Sequence, residues 1–170
     1  MTISMYQASV PVFVRMLRNL SAILDKGLAH AEARKIAPGV LPGLRLIADM
    51  FPLSKQVQIA TDHAKGCVAR LAGVEVPKYE DNEQTLEDLK ARIARTIAFV
   101  ESFSPDQIDG TEERDIAFTL GSYDLKFKGM DYLVGFAVPN FYFHMVTAYN
   151  ILRENGVDIG KRDFLAKDAK

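Results

Sequence analysis

Val138-Pro139-Asn140-Phe141-Tyr142-Phe143-His144-Met145-Val146-Thr147-Ala148-Tyr149-Asn150-Ile151-Leu152-Arg153-Glu154-Asn155-Gly156 is the stretch on which the fold turns. It opens with a proline that a first helical turn tolerates and closes with a glycine suited to a helix end. Between them the side chains are apolar nearly all round, the mark of a helix buried on most of its sides. The exceptions are Asn140, His144, Thr147 and Asn150. Steps of four and three keep these near one side of a helix. Such a thread is either a narrow wet edge or the lining of an internal cavity, and the function depends on which.

Working back from this helix, the period changes from helical to two. Ile116, Phe118 and Leu120 alternate with Ala117 and Thr119, and Tyr123, Leu125 and Phe127 alternate with Asp124 and Lys126. Gly121-Ser122 between them fits a type II′ hairpin turn. In that register Leu120 faces Tyr123, Phe118 faces Leu125 and Ile116 faces Phe127. All six bulky side chains then share one face, which must pack on helices because an isolated hairpin is not stable. Asp131 to Ala137 reads either as the leading turns of the last helix or as a separate piece bent at Pro139.

Three more helices precede the hairpin. Thr85-Leu86-Glu87-Asp88 resembles a capping box, and Leu86, Leu89, Ile93, Ile97 and Val100 follow at helical spacing until Ser104-Pro105. Before that, Val57, Ala60, Ala64, Cys67, Val68 and Leu71 form the stripe of a helix starting between Asp49 and Ser54 and ending at Gly73. Gly66 lies inside this helix, where it costs up to ~1 kcal/mol relative to alanine; close helix packing would be a reason to keep it. The first helix carries Phe13, Met16, Leu17, Leu20, Ile23 and Leu24 inward. It opens either at a Ser9 cap with Pro11 in its first turn, or near Ser4 with a kink at Pro11. Gly27 reads as its stop, and residues 30–35 as a further short helical piece. Residues 36–45, with Pro38-Gly39 and Pro42-Gly43, read as a connecting loop. Residues 157–165 show no clear period, and residues 166–170 read as a frayed tail.

The 170 residues suit one domain, taken here as 1–165. With 48% hydrophobic and 25% charged residues the chain is ordinary for a globular protein. A net charge of -1 and the lack of a basic, aromatic-studded run give no reason to expect nucleic acid. Nothing approaches the ~20 uninterrupted apolar residues of a membrane span. The short apolar run Val10 to Val14, cut off by Arg15, is no signal peptide. A single cysteine, Cys67, fits a reducing compartment, so a cytoplasmic protein is expected. Cys67 lies in the apolar stripe and reads as an inert buried thiol.

His30 borders the first loop and reads as a surface residue. His63 lies beside the buried stripe of the second helix, and His144 in the polar thread of the fourth. Side chains from two helices of one bundle can converge on a cavity. A catalytic zinc centre usually takes three protein ligands and an open water position. A single helix supplies two of them as His-x-x-x-His. Here Asn140 stands where the first histidine would, and an amide is a far weaker ligand. Asp62 points roughly 100° away from His63 around the helix. Asp62 and Asp49 read equally well as surface charges or caps. Phe136, Phe141, Tyr142, Phe143 and Tyr149 read as core or subunit interface.

Four phrases carry a family resemblance: Met5-Tyr6-Gln7-Ala8-Ser9-Val10-Pro11, Asp49-Met50-Phe51-Pro52-Leu53, Gln56 to Lys65 (QVQIATDHAK) and Pro139-Asn140-Phe141-Tyr142-Phe143-His144. The chain resembles the DinB/YfiT-like bundles, a superfamily associated with metal-dependent enzymes, in a branch known only as a domain of unknown function. The resemblance spans nearly the whole chain. It implies one metal histidine on the second helix and a His-x-x-x-His pair on the fourth, which His63 and His144 match and Asn140 does not.

The expected fold is all-α, an up-down four-helix bundle with a small β-hairpin between the third and fourth helices, associating as a homodimer. The expected function is to bind an unidentified small molecule in a polar pocket between the second and fourth helices, lined by His63, Asn140, His144, Thr147 and Tyr149. One alternative is a thiol transferase or hydrolase using zinc or nickel held by His63 and His144. The other is a dimeric interaction module without a pocket.

Overall fold

The computed structural model describes residues 3–165. Its frame is four long helices: α1 (Met5–Ala33), α3 (Leu53–Ala72), α4 (Leu86–Glu101) and α7 (Val138–Glu154). Short helices punctuate the connections: α2 (Val40–Gly43), α5 (Pro105–Ile108), α6 (Gly129–Tyr132) and α8 (Lys161–Leu165). α1 packs chiefly on α4, α4 on α3, and α3 on α7, so the long crossover 34–52 takes the chain past a neighbour before α3 begins. The core between them holds Phe13, Leu17, Leu20, Val57, Ala60, Ala64, Leu89, Ile93, Phe141 and Met145, all without solvent exposure. This is the expected four-helix bundle with a hairpin.

Two helix starts follow from their caps. Ser4 accepts from the Gln7 amide while the Gln7 side chain accepts from the Ser4 amide, so α1 begins ahead of Pro11 rather than at Ser9. The same reciprocal pair, Thr85 and Asp88, opens α4 as its spacing requires. Gly73, at φ 72°, closes α3 in the left-handed conformation that glycine takes without penalty.

Three local expectations are corrected. α1 does not stop at Gly27 but runs on to Ala33, absorbing much of the piece expected at 30–35. Gly27 is buried where a Cβ would come within 3.2 Å of Leu86 and 3.6 Å of Leu152, so it serves packing rather than termination. Gly66, by contrast, is not kept for helix packing. The three nearest heavy atoms to its virtual Cβ all belong to the Arg70 guanidinium, the closest at 2.5 Å. Ser104-Pro105 ends α4 but also caps α5.

The hairpin β1 (Asp115–Leu120) and β2 (Tyr123–Lys128) pairs in the expected register, Leu120 with Tyr123, Phe118 with Leu125 and Ile116 with Phe127. Gly121 alone of the two turn residues has positive φ, as type II′ rather than I′ requires. Its bulky face does not pack uniformly on the helices. Ile116 is buried and Phe118 and Phe127 half-buried, but the tip residues Leu120 and Tyr123 are 53% and 72% exposed.

Between α6 and α7 the chain forms a π-helical turn, Leu133–Ala137, in which the Val138 amide donates to the Leu133 carbonyl five residues back. Asp131 to Ala137 are thus leading turns of the last helix, loosened ahead of Pro139. That proline lacks an N–H, and its ring crowds the carbonyl four residues earlier, which a wider turn relieves. Residues 157–165 anchor on the bundle through buried Val157 and Ile159, with α8 against α1. The tail 166–170 lies outside the described residues. On the outer side of α7, Phe143 and Val146 are 56% and 41% exposed. No helix among the described residues is long and apolar enough to cross a membrane.

Candidate functional site

α3 and α7 pack directly on one another, and the π-turn and hairpin close over one end of their seam. The result is a cleft of about 530 Å³. Ile59, Asp62 and His63 line it from α3, Asn140 and His144 from α7, and Phe136 from the π-turn. Phe118 and Leu120 cover it from the hairpin, while Phe51, Lys55, Lys65, Arg70 and Val76 rim it. A larger depression of about 690 Å³ over Tyr79 and Arg92 has a different character. There the buried Arg92 binds Asp62, Asp81, Glu83 and the Thr61 hydroxyl, all at 2.8 to 3.1 Å, so its charges serve one another.

His63 and His144 meet in the cleft with their rings nearly parallel, 14° apart, and centroids separated by 6.0 Å. Phe136 stands edge-on to His63 at 5.6 Å, and Phe143 edge-on to His144 at 5.2 Å. Burial, then the neighbouring His144, pushes the His63 pKa down to about 4, against a smaller opposing pull from Asp62. Burial likewise lowers that of His144. Both imidazoles are therefore neutral near pH 7. Asp62 does little for His63 because its carboxylate is held by Arg92 and, at 2.7 Å, by Lys65.

A partly buried chain of hydrogen bonds fixes His144. Nε2 of Gln56 donates to the Phe51 carbonyl at 3.0 Å, which orients the amide so that its Oε1 faces Nδ1 of His144 at 2.7 Å. An amide oxygen only accepts, so this network assigns the proton to Nδ1 and leaves Nε2 with a free lone pair. His63 has no hydrogen-bond partner for either ring nitrogen among the described residues. Asn140 turns its amide nitrogen back along its own helix, donating to the Phe136 carbonyl at 2.7 Å.

Of the five residues expected to line a pocket, His63, Asn140 and His144 come together. Thr147 and Tyr149 do not line the cleft. Thr147 lies a turn further along α7, buried, its hydroxyl donating to the Phe143 carbonyl at 2.7 Å. Tyr149 is nine residues from Asn140, half a helical revolution away, and packs edge-on to Phe164 at 5.8 Å. Cys67 is buried with its thiol pKa pushed up by burial, an inert packing residue. Gln56 and Arg70 are the polar lining and support that the residue-by-residue reading missed. A signal was present: Gln56, His63 and Arg70 recur every seven residues, which places them on one stripe of α3.

The donor set can be weighed against a three-ligand metal centre. Among the described residues no group of three or more His, Cys, Asp or Glu side chains is arranged to hold an ion. Two imidazoles face the cleft, and the third position carries an amide engaged with its own helix. These residues do not fit the three-imidazole pattern.

Residues 5–165 match a family described as a domain of unknown function, DUF1993. The chain belongs to that family. The crystal structure of a DinB family member protein from Shewanella denitrificans, at 1.83 Å resolution, superposes with a TM-score of 0.87. The two sequences are 43% identical over 97% of this chain and 94% of that one. This DUF1993 chain is thus a DinB-like bundle. No curated protein compared with it matches significantly.

Proposed function

We propose that this DinB-like protein binds a small molecule in the cleft between α3 and α7, beneath the hairpin. The observation that carries this reading is His63: a half-buried neutral imidazole whose two nitrogens meet no protein partner among the described residues, 6.0 Å from a second neutral imidazole. Both nitrogens are accessible from the cleft rather than sealed off among the described residues, so a ligand entering it can use the ring's one donor and one acceptor. The aromatic walls supply apolar contact, and His144, its tautomer set by Gln56, offers an acceptor at Nε2. Apolar walls with a few placed polar groups are the usual make-up of a ligand site. The metal-dependent alternative rests on two imidazoles where its pattern asks for three.

A fragment screen followed through the imidazole NMR signals of His63 and His144 tests the proposal. Binders should move both rings and weaken several-fold on His63→Ala. A chemically broad collection in which no compound moves either ring would overturn it.

A further inference from the structure

Three cations border the cleft, and two are already neutralised. Lys55 is paired with Asp81 at 2.5 Å and Lys65 with Asp62 at 2.7 Å. Arg70 is different: no carboxylate lies within 4.0 Å of its guanidinium among the described residues. Its Nη1 donates to the Tyr132 hydroxyl at 2.9 Å, and its plane lies over the Phe118 ring at 4.1 Å. A guanidinium stays charged at any ordinary pH and has five N–H donors. Stacking on Phe118 and the bond to Tyr132 hold the guanidinium in place, and its remaining donors face the cleft without a counter-charge among the described residues.

The backbone makes room for this placement. Helical side chains lean toward the N-terminus of their helix, and Gly66 leaves the space one turn back from Arg70 empty. A Cβ there would stand 2.5 Å from Nη1. The guanidinium therefore lies back along α3 toward His63, in the same cleft. A mid-helix glycine that costs up to ~1 kcal/mol relative to alanine is explained by the position of one cation.

We infer that the ligand is an organic carboxylate. Arg70 takes the carboxylate in its planar fork, the apolar body lies against Phe136 and Leu120, and a polar atom reaches His63. The inference rests on the cleft being a small-molecule site. A planar monoanion fits better than a phosphate dianion, because one unpaired guanidinium faces it and the two imidazoles beside it are neutral. Arg–carboxylate pairing through two parallel N–H bonds is the geometry that an unpaired guanidinium matches best.

The test uses phenylpropanoate and its neutral counterpart phenylpropanamide, titrated into the intact protein while the His63 and His144 signals are followed. The carboxylate should bind about tenfold more tightly than the amide. Arg70→Gln should abolish that preference by weakening the carboxylate more than the amide, and Arg70→Lys, which keeps the charge but not the fork, should retain part of it. Should Arg70→Gln fail to fold, the wild-type preference and its reduction in Arg70→Lys decide the matter. Equal binding of acid and amide by the wild type, or an undiminished preference in the Arg70 variants, overturns the carboxylate inference and leaves the cleft as a neutral-ligand site. If neither probe moves either imidazole while compounds of the broad collection do, the carboxylate inference falls and the cleft reading stands; silence from the whole collection overturns both.

Discussion

The Gln56 amide oxygen stands 2.7 Å from Nδ1 of His144, and that contact decides which nitrogen of His144 the cleft receives. Gln56 is oriented in turn by the Phe51 carbonyl, so three residues from a loop and two helices hold one proton in place. Replacing Gln56 by leucine removes both bonds at once and leaves the Phe51 carbonyl and His144 Nδ1 without their partner in a partly buried setting. The expected loss in stability is about 1–3 kcal/mol, read by urea unfolding. Nitrogen NMR of the wild-type ring should show the proton on Nδ1 at neutral pH. A ring protonated on Nε2 would refute the tautomer assignment.

Acid should expose the cost of keeping His63 neutral. Its folded pKa of about 4 lies below the ordinary 6.5, so between those values the unfolded chain binds more protons than the folded one. Stability is thus complete above pH 6.5 and falls as pH drops toward 4, by about 2 kcal/mol from this residue once residual solvent exposure is discounted. His63→Gln should flatten that part of the profile. Urea midpoints at several pH values check it, and an unchanged slope in the variant would refute the assignment.

The bundle was legible because its helices announce themselves locally: the Thr85–Asp88 capping box, the stripe from Val57 to Leu71 and the period-two run that set the hairpin register all appear in the structure as the spacing demands. Features that depend on distant partners were not. Gly27 looks like a helix stop until Leu86 and Leu152 are seen beside it. Likewise the alternation at Leu120 and Tyr123 predicts a buried face, but the bundle reaches only as far as the hairpin's inner end. For the site, the thread on α7 pointed to Asn140 and His144, yet spacing alone could not say where a straight wall ends. Thr147 turns its hydroxyl to its own helix instead. The Gln56–His63–Arg70 repeat was available but carried no meaning until the Gly66 gap showed where Arg70 lies.

Gly66 permits a test that separates stability from selectivity. Gly66→Ala should add up to about 1 kcal/mol of helix propensity while its methyl group pushes the Arg70 guanidinium aside. Only the far end of a flexible side chain has to move. The urea midpoint should therefore hold or rise, while the preference for phenylpropanoate over phenylpropanamide falls. A variant that loses about 1 kcal/mol or more and keeps its selectivity would show that the glycine serves packing after all.

Asn140 bears on metal binding. One turn ahead of His144 on α7, it occupies the position where a His-x-x-x-His pair would begin, and it already lines the cleft. Asn140→His would add a third imidazole beside Nε2 of His144 and the unpartnered ring of His63. The low pKa of His63 means that protons do not compete there near neutral pH. Zinc affinity measured by calorimetry should rise by roughly 100-fold or more over the wild type, and His63→Ala in the same background should reverse most of the gain. The wild type, purified without a histidine tag, should retain zinc or nickel well below one ion per chain. Stoichiometric metal in that protein, lost on His63→Ala, would mean that a donor other than a third imidazole completes the site, and the case against a metal centre built on the Asn140 substitution would fail.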